Sequence, residues 1–181
     1  LIKQTMRIKG NQKFNIKYVL PGLAFVLTLV VISQTYMTTL TESNLVPVSG
    51  KITSIYQDRY RHYKYTDDRI TIKLDNFVEP LFFFDNRSDF FPTVIGNLHI
   101  GDTVTLLHRT KIQARLGGGS EFKIMKIQKG SNVLYGFDKA KETFSNVAGF
   151  TTYAAIVIWL LYFFLRRKLK RQEGRTVAAM L

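Results

Sequence analysis

VAGFTTYAAIVIWLLYFFL, residues Val147 to Leu165, carries no charged side chain, and its reading decides how the rest of the chain is organised. At 1.5 Å rise per residue, about 20 apolar residues in a helix match the roughly 30 Å hydrocarbon core of a bilayer. Tyr153, Trp159 and Tyr162 are the amphipathic aromatics that gather toward membrane interfaces. The stretch therefore predicts a membrane helix.

Working outward, a second charge-free run extends from Tyr18 to Thr41, with an apolar centre, LAFVLTLVVI, from Leu23 to Ile32. Pro21 falls near its first turn, where the amide donors of a helix lack internal partners anyway. A cleavable signal peptide would share the basic start and short apolar centre. The exit, SQTYMTTLTES, has no alanine and offers no A-x-A-like cleavage site, which favours an uncleaved anchor.

The charge follows these two runs. The chain has 181 residues, 26 Lys plus Arg against 13 Asp plus Glu, a net +13, and 46% hydrophobic residues. Hydrophobicity at that level excludes a disordered basic tail. Lys3, Arg7, Lys9, Lys13 and Lys17 give the first 19 residues +5 with no acid. Arg166, Arg167, Lys168, Lys170, Arg171 and Arg175 against Glu173 give the C-terminal tail another +5, and the segment between the spans holds only +3. Lys- and Arg-rich flanks stay on the cytoplasmic side. The expected layout is a basic cytoplasmic N-terminus over 1–19, a first transmembrane helix over 20–40, an extracytoplasmic β-rich domain over 41–145, a second transmembrane helix over 146–165 and a basic cytoplasmic tail over 166–181. That describes an integral membrane protein with both termini cytoplasmic and membrane lipid as one partner.

In the middle segment, short apolar and β-branched groups alternate with turn residues. VPVSGKITSIY (Val46–Tyr56) reads as a strand with a glycine marking a bulge or sharp bend. In RITIKLDNF, Ile70, Ile72 and Leu74 point one way and Thr71, Lys73 and Asp75 the other. EPLFFFD from Glu79, a strand after the Gly101-Asp102 turn in which Val104 and Leu106 share a face, EFKIMKIQ from Glu121 and a small terminal strand in GSNVLYGFD complete the set. A short helix or helical turn is expected between Ser88 and Asn97. Strands at this spacing, without long helical crossovers, predict a small all-β barrel or sandwich. Five strands with a helix or loop between the third and fourth are the layout of an OB-like barrel.

Val48, Gly50 and Ile52, then Ile100, Gly101, Asp102 and Val104, then Asn132 to Gly136 form V-x-G-x-I, I-G-D-x-V and N-V-L-Y-G motifs. With two flanking helices, these resemble a loose group of uncharacterised bacterial two-helix membrane proteins with an extracytoplasmic OB-like β domain. The resemblance implies architecture, a place in a bacterial inner (plasma) membrane, and no active site.

The densest functional signal is YQDRYRHYKYTDDR, Tyr56 to Arg69, in which tyrosines alternate with basic residues. Tyr56, Arg59, Tyr60, Arg61, His62, Tyr63, Lys64 and Tyr65 are the candidate partner-binding residues. Stacking aromatics beside phosphate-neutralising cations would suit a single-stranded polymer. The extracytoplasmic side and the nearby Asp58, Asp67 and Asp68 argue against nucleic acid. The tyrosines equally suit an exposed hairpin or a protein interface, so a protein partner, or a second copy of the chain, is placed first and a glycan or anionic polymer second.

Other chemistry finds no constellation. There is no cysteine, and His62, His99 and His108 lack metal-ligand spacing, so neither a metal nor a cofactor is expected. RLGGGSEFK lacks the Lys-Ser/Thr pair of a phosphate loop and reads as a flexible hairpin connection. No Ser sits in a G-x-S-x-G turn, so a non-enzymatic protein is expected. Asn86-Arg87-Ser88 is a formal glycosylation sequon. Neither span holds an ionisable residue, which weighs against ion transport. A two-span oligomeric pore lined by Ser33, Gln34, Thr35, Thr151 and Thr152 is the third alternative.

Overall fold

The computed structural model describes residues 13–62, 65–84 and 90–178. Tyr63, Lys64, the sequon Asn86-Arg87-Ser88 and Asp89 lie outside the described residues. Two compact units are present, one made of 1–33 with 146–181 and the other of 34–145.

The first unit is helical. A π-helical turn, Asn15–Val19, runs into α1, Leu20–Thr39. The long helix at the other end of the chain, Phe137–Ala178, begins before the apolar run and continues past it. Both helices are long and apolar enough to cross a membrane. Within this unit they meet where the Trp159 indole donates to Thr28 Oγ1 at 3.3 Å, and Ala24 and Ala155 are buried. Phe25, Ile32, Phe150, Ile156 and Phe164 remain exposed, each by more than half.

The second unit is a six-stranded antiparallel sheet. Its strands are β1 (Val46–His62), β2 (Tyr65–Leu74), β3 (Phe77–Phe83), β4 (Thr103–His108), β5 (Ile124–Lys129) and β6 (Asn132–Tyr135), in spatial order β3-β2-β1-β4-β5-β6. Helix α2, Phe90–Asn97, joins β3 to β4, and α3, Lys111–Gly117, joins β4 to β5; the long C-terminal helix is α4.

β1 belongs to two pairings. Val46 to Lys51 pair with β4, and Ile52 to His62 pair with β2, with an irregularity between Ile52 and Ser54. Gly50 sits at the handover: a Cβ there would collide with the Asn76 side chain and lie 2.8 Å from Asp75 Oδ1. The glycine thus lets the β2–β3 turn close on β1, where Asp75 Oδ1 accepts from the Lys51 amide at 2.9 Å. On the far side, Gly101, at φ 97°, makes the turn that donates to the Ile52 carbonyl at 2.8 Å. Only residues without a Cβ adopt that φ readily.

The alternation in β2 faces the core as expected: Ile70, Ile72 and Leu74 are buried and Lys73 and Asp75 are exposed. Thr71 departs from the expectation. It is 1% exposed although it lies on the polar face, because its register partners are Tyr56 and Phe82, and its hydroxyl donates to Asp58 at 3.3 Å. Phe91 and Val94 of α2 and Leu98 just past its end, at helical spacing, join β-strand residues in one apolar cluster. Phe83 meets Tyr135 edge-on at 4.7 Å between ring centres. Phe137, Ala140 and Phe144 carry the first turns of α4 into the same cluster. An isolated parallel bridge joins Phe82 to Lys123, and the Phe82 amide donates to the Phe122 carbonyl at 2.9 Å.

Candidate partner-binding site

The tyrosine-rich stretch is the outer length of a hairpin rather than an irregular loop. β1 runs 17 residues, and past Lys51 only β2 pairs with it among the described strands. β3 pairs with β2 no further out than Ile70. From Asp58 to His62 the chain is therefore a two-stranded ribbon. Alternation of tyrosine with a polar residue is itself a period-2 strand pattern, and tyrosine favours strands.

Residues opposite each other in an antiparallel pair share a face. The register Tyr56–Thr71–Phe82 and Asp58–Arg69 places these residues, with Tyr60, on the face opposite Ile70, Ile72, Leu81 and Phe83. At the centre Arg69 donates twice to Asp58, from Nε to Oδ1 and from Nη2 to Oδ2, both at 2.7 Å. The guanidinium carbon is 4.5 Å from the Phe82 ring centre and 5.0 Å from that of Tyr60, so the cation lies between two aromatic faces. Phe84 extends the row, 5.9 Å from Tyr60 and 6.1 Å from Phe82 between ring centres. Tyr56 and Tyr60 stay 45% and 40% exposed.

Hydrogen bonds from Arg69 hold the Asp58 carboxyl below its ordinary 3.8, against the opposing effect of burial, and the same bonds raise Arg69 further. Asp58 and Arg69 are thus both charged at neutral pH. Arg59 reaches Asp68 at 3.6 Å from a side chain 83% exposed, a pair open to water and worth little to stability. Arg61 is also exposed.

Of the eight candidate residues, Tyr56 and Tyr60 lie on the face opposite the core, and the register puts Arg59 and Arg61 on the other side of the ribbon. His62 and Tyr65 are described as backbone only and stand opposite each other in register. Tyr63 and Lys64, between them, lie outside the described residues. Reading the sequence alone missed Arg69 as the organising cation and Phe82 and Phe84 as its aromatic partners. The Arg69 side of the pairing was legible only through the register, since Asp58 and Arg69 are separated by the whole hairpin.

A second site was also missed. Arg109 is 1% exposed; its Nη2 donates to the Ser120 carbonyl at 2.7 Å, and its buried Nε has no partner among the described residues. Burial alone lowers its pKa to about 10, so the side chain stays protonated at neutral pH without a carboxylate beside it among the described residues. It fits because the connection is glycine: a Cβ at Gly117 would lie 3.0 Å from Nη1, and one at Gly119 3.1 Å from Nη2. The expected hairpin connection before β5 contains α3 as well, opened by a capping box in which Gln113 N donates to Thr110 Oγ1 at 3.3 Å and Thr110 N donates to Gln113 Oε1 at 2.9 Å. Thr-x-x-Gln was the signal for it. His108 is buried beside Phe77 and Phe122, its Nδ1 within 2.9 Å of the Arg109 carbonyl. No group of three or more His, Asp or Glu residues placed to hold a metal ion occurs among the described residues.

The chain matches no protein-family profile, no curated protein and no solved structure.

Proposed function

We propose that the chain is a non-enzymatic integral protein of a bacterial plasma membrane whose β domain, on the extracytoplasmic side, binds a protein partner as an accessory, assembly or immunity-type factor. The observation that carries the binding reading is the ribbon of β1 and β2 extending past the pairing of β3 and β4, with Tyr56 and Tyr60 exposed beside a fixed cation. Tyrosine and arginine are enriched where proteins bind proteins. The ribbon also offers strand edges to which a partner's extended segment could add.

The membrane reading is supported by two apolar helices with exposed Phe, Ile and Leu, and by basic flanks on both. An OB-like barrel is supported by the sharing of β1 between β2 and β4, by α2 between β3 and β4, and by the Phe82–Lys123 bridge between the β3 edge and the start of β5. A polyanion ligand is the weaker reading, because Arg69 and Arg59 already face carboxylates.

The test is a photo-crosslinking residue at position 60 or 56 in intact membranes. A discrete protein adduct is expected, lost when the residue is moved to the exposed Val133 on β6, at the opposite edge of the sheet. Adducts to lipid alone, or none, would remove the protein-binding reading.

A further inference from the structure

The helical unit holds a cleft of about 340 Å³ between the π-helical turn and the C-terminal part of α4. Its floor is apolar: Ile16 and Leu169 are 4% and 2% exposed. Its rim is cationic, with Lys17, Arg166 and Lys170 against one carboxylate, Glu173, which lies 3.3 Å from Lys17. Arg166 Nη1 donates to the Tyr162 hydroxyl at 2.6 Å, and that hydroxyl's own proton has no acceptor among the described residues. Lys170 is exposed and has no ion pair among them.

Two features distinguish this from an ordinary basic flank. The first is the π turn itself, closed by the Leu20 amide on the Asn15 carbonyl. The extra residue per turn widens the helix, and such turns recur at binding sites. Here Ile16 goes inward while Lys17 and Tyr18 flank it. The second is position: Lys17 and Arg166 are the first charged residues beyond the two charge-free runs, Tyr18–Thr41 and Thr143–Leu165. Both helices therefore change from apolar to basic at this one cleft.

We infer that the cleft is a binding site for the phosphate ester headgroup of an anionic glycerophospholipid of the cytoplasmic leaflet. The three cations and the Tyr162 hydroxyl surround a place for the phosphate oxygens, and the Ile16–Leu169 floor takes the start of an acyl chain. Basic pockets between membrane helices on that side are where acidic headgroups bind. The surplus of positive charge over Glu173 matches an anionic lipid and leaves a zwitterionic one no advantage. The inference rests on the membrane reading proposed above.

The experiment uses the full chain, purified in a neutral maltoside detergent. Thermal unfolding is followed while phosphatidylglycerol, phosphatidylcholine or inorganic phosphate is added, and native mass spectrometry counts retained lipids. Phosphatidylglycerol should raise the melting temperature and leave one retained lipid, at a half-saturating concentration about tenfold or more below that of phosphatidylcholine. Removing two near-surface cations in the double variant Arg166→Gln, Lys170→Gln should weaken this by about thirtyfold. Should that variant fold poorly without lipid, Tyr162→Phe, which removes only the hydroxyl, should still weaken binding several-fold, and Arg166→Lys should retain it. Lys111→Gln, an exposed position in the other unit, should change nothing. Equal response to both lipids, or an unaffected double variant, overturns the inference. Saturation of the shift by inorganic phosphate also overturns it, in favour of a free-anion site. Extraction of native membranes with alkaline carbonate separates the two readings: release of the chain defeats the membrane reading, whereas retention without lipid preference defeats only this one.

Discussion

Replacing Arg69 with methionine keeps the aliphatic stem against the sheet and removes the cation. Two hydrogen bonds at 2.7 Å to Asp58 are lost, together with stacking on Phe82 and Tyr60 at 4.5 and 5.0 Å. A hydrogen bond to a charged partner contributes about 1.5 to 3 kcal/mol, and a partly exposed cation–π contact about 0.5 to 1 kcal/mol. The side chains of Arg69 and Asp58 are 20% and 28% exposed, so water recovers part of this. A loss of about 2 kcal/mol is expected, near a thirtyfold rise in opening of the hairpin. Amide exchange read by mass spectrometry on the full chain in detergent should show it in peptides from Tyr56 to His62 and Arg69 to Leu74. Asp58→Asn should cost about 1 to 1.5 kcal/mol alone and little more in the Arg69→Met background. Because the folded pKa of Asp58 is depressed, the pair's contribution is complete above the unfolded value near 3.8 and is lost as pH falls through the folded one. Protection corrected for intrinsic exchange should thus be flat from neutral pH down to about 5 and fall only in stronger acid. Costs of the two substitutions that simply add, or a loss of protection already at pH 6, would refute the assignment of Asp58 and Arg69 as a coupled pair.

Gly50→Ala should lower the melting temperature, at a cost of about 1 to 3 kcal/mol, because its methyl meets Asn76 and Asp75; Asn76→Gly should recover part of that loss, and no recovery would place the strain elsewhere. Arg109→Met should leave thermal stability unchanged or raised, since it removes a buried charge without a carboxylate partner, while Gly117→Val should lower it by pressing on Arg109 and Met37. A loss above about 2 kcal/mol for Arg109→Met would show that its bond to Ser120 outweighs the burial of its charge. The chain has no cysteine, so Ser131→Cys and Gln172→Cys each report one position. An impermeant maleimide applied to intact cells, or to spheroplasts if an outer membrane is present, should label the first and reach the second only after lysis; the reverse would overturn the proposed orientation.

The elements read most directly from sequence were those with one dominant period. Ile70, Ile72 and Leu74 alternate because only one face of β2 meets the core, and the paired glycine turns at Gly101 and Gly130 stand where φ is positive. Elements were missed where two signals overlapped. Lys111 to Gly117 reads as a glycine-rich connection because its last residue opens the Gly117–Gly119 run, yet its Thr110 cap makes it a helix. The first turns of α4, Phe137 to Asn146, contain four charged residues and so fall outside a search for apolar runs, although Phe137, Ala140 and Phe144 are spaced for burial. Nothing local marks Arg109 as buried, since arginine is usually exposed and its burial depends on two glycines eight and ten residues on. For the candidate site, the tyrosines and flanking cations were visible, but Arg69's position between Tyr60 and Phe82 depends on the register of three strands.

Because β1 serves two neighbours, the chain cannot complete its sheet in the order in which it is made. The contacts of Ile52 to His62 with β2 are local and available as soon as Leu74 has emerged, whereas Val46 to Lys51 must wait for Thr103 to His108. A three-stranded meander with about a third of its first strand unpaired is therefore the natural intermediate during synthesis, and its exposed edge is the one β4 later covers. Until then Val46 and Val48 present bare backbone and apolar side chains to whatever chaperone or translocation machinery attends the emerging chain.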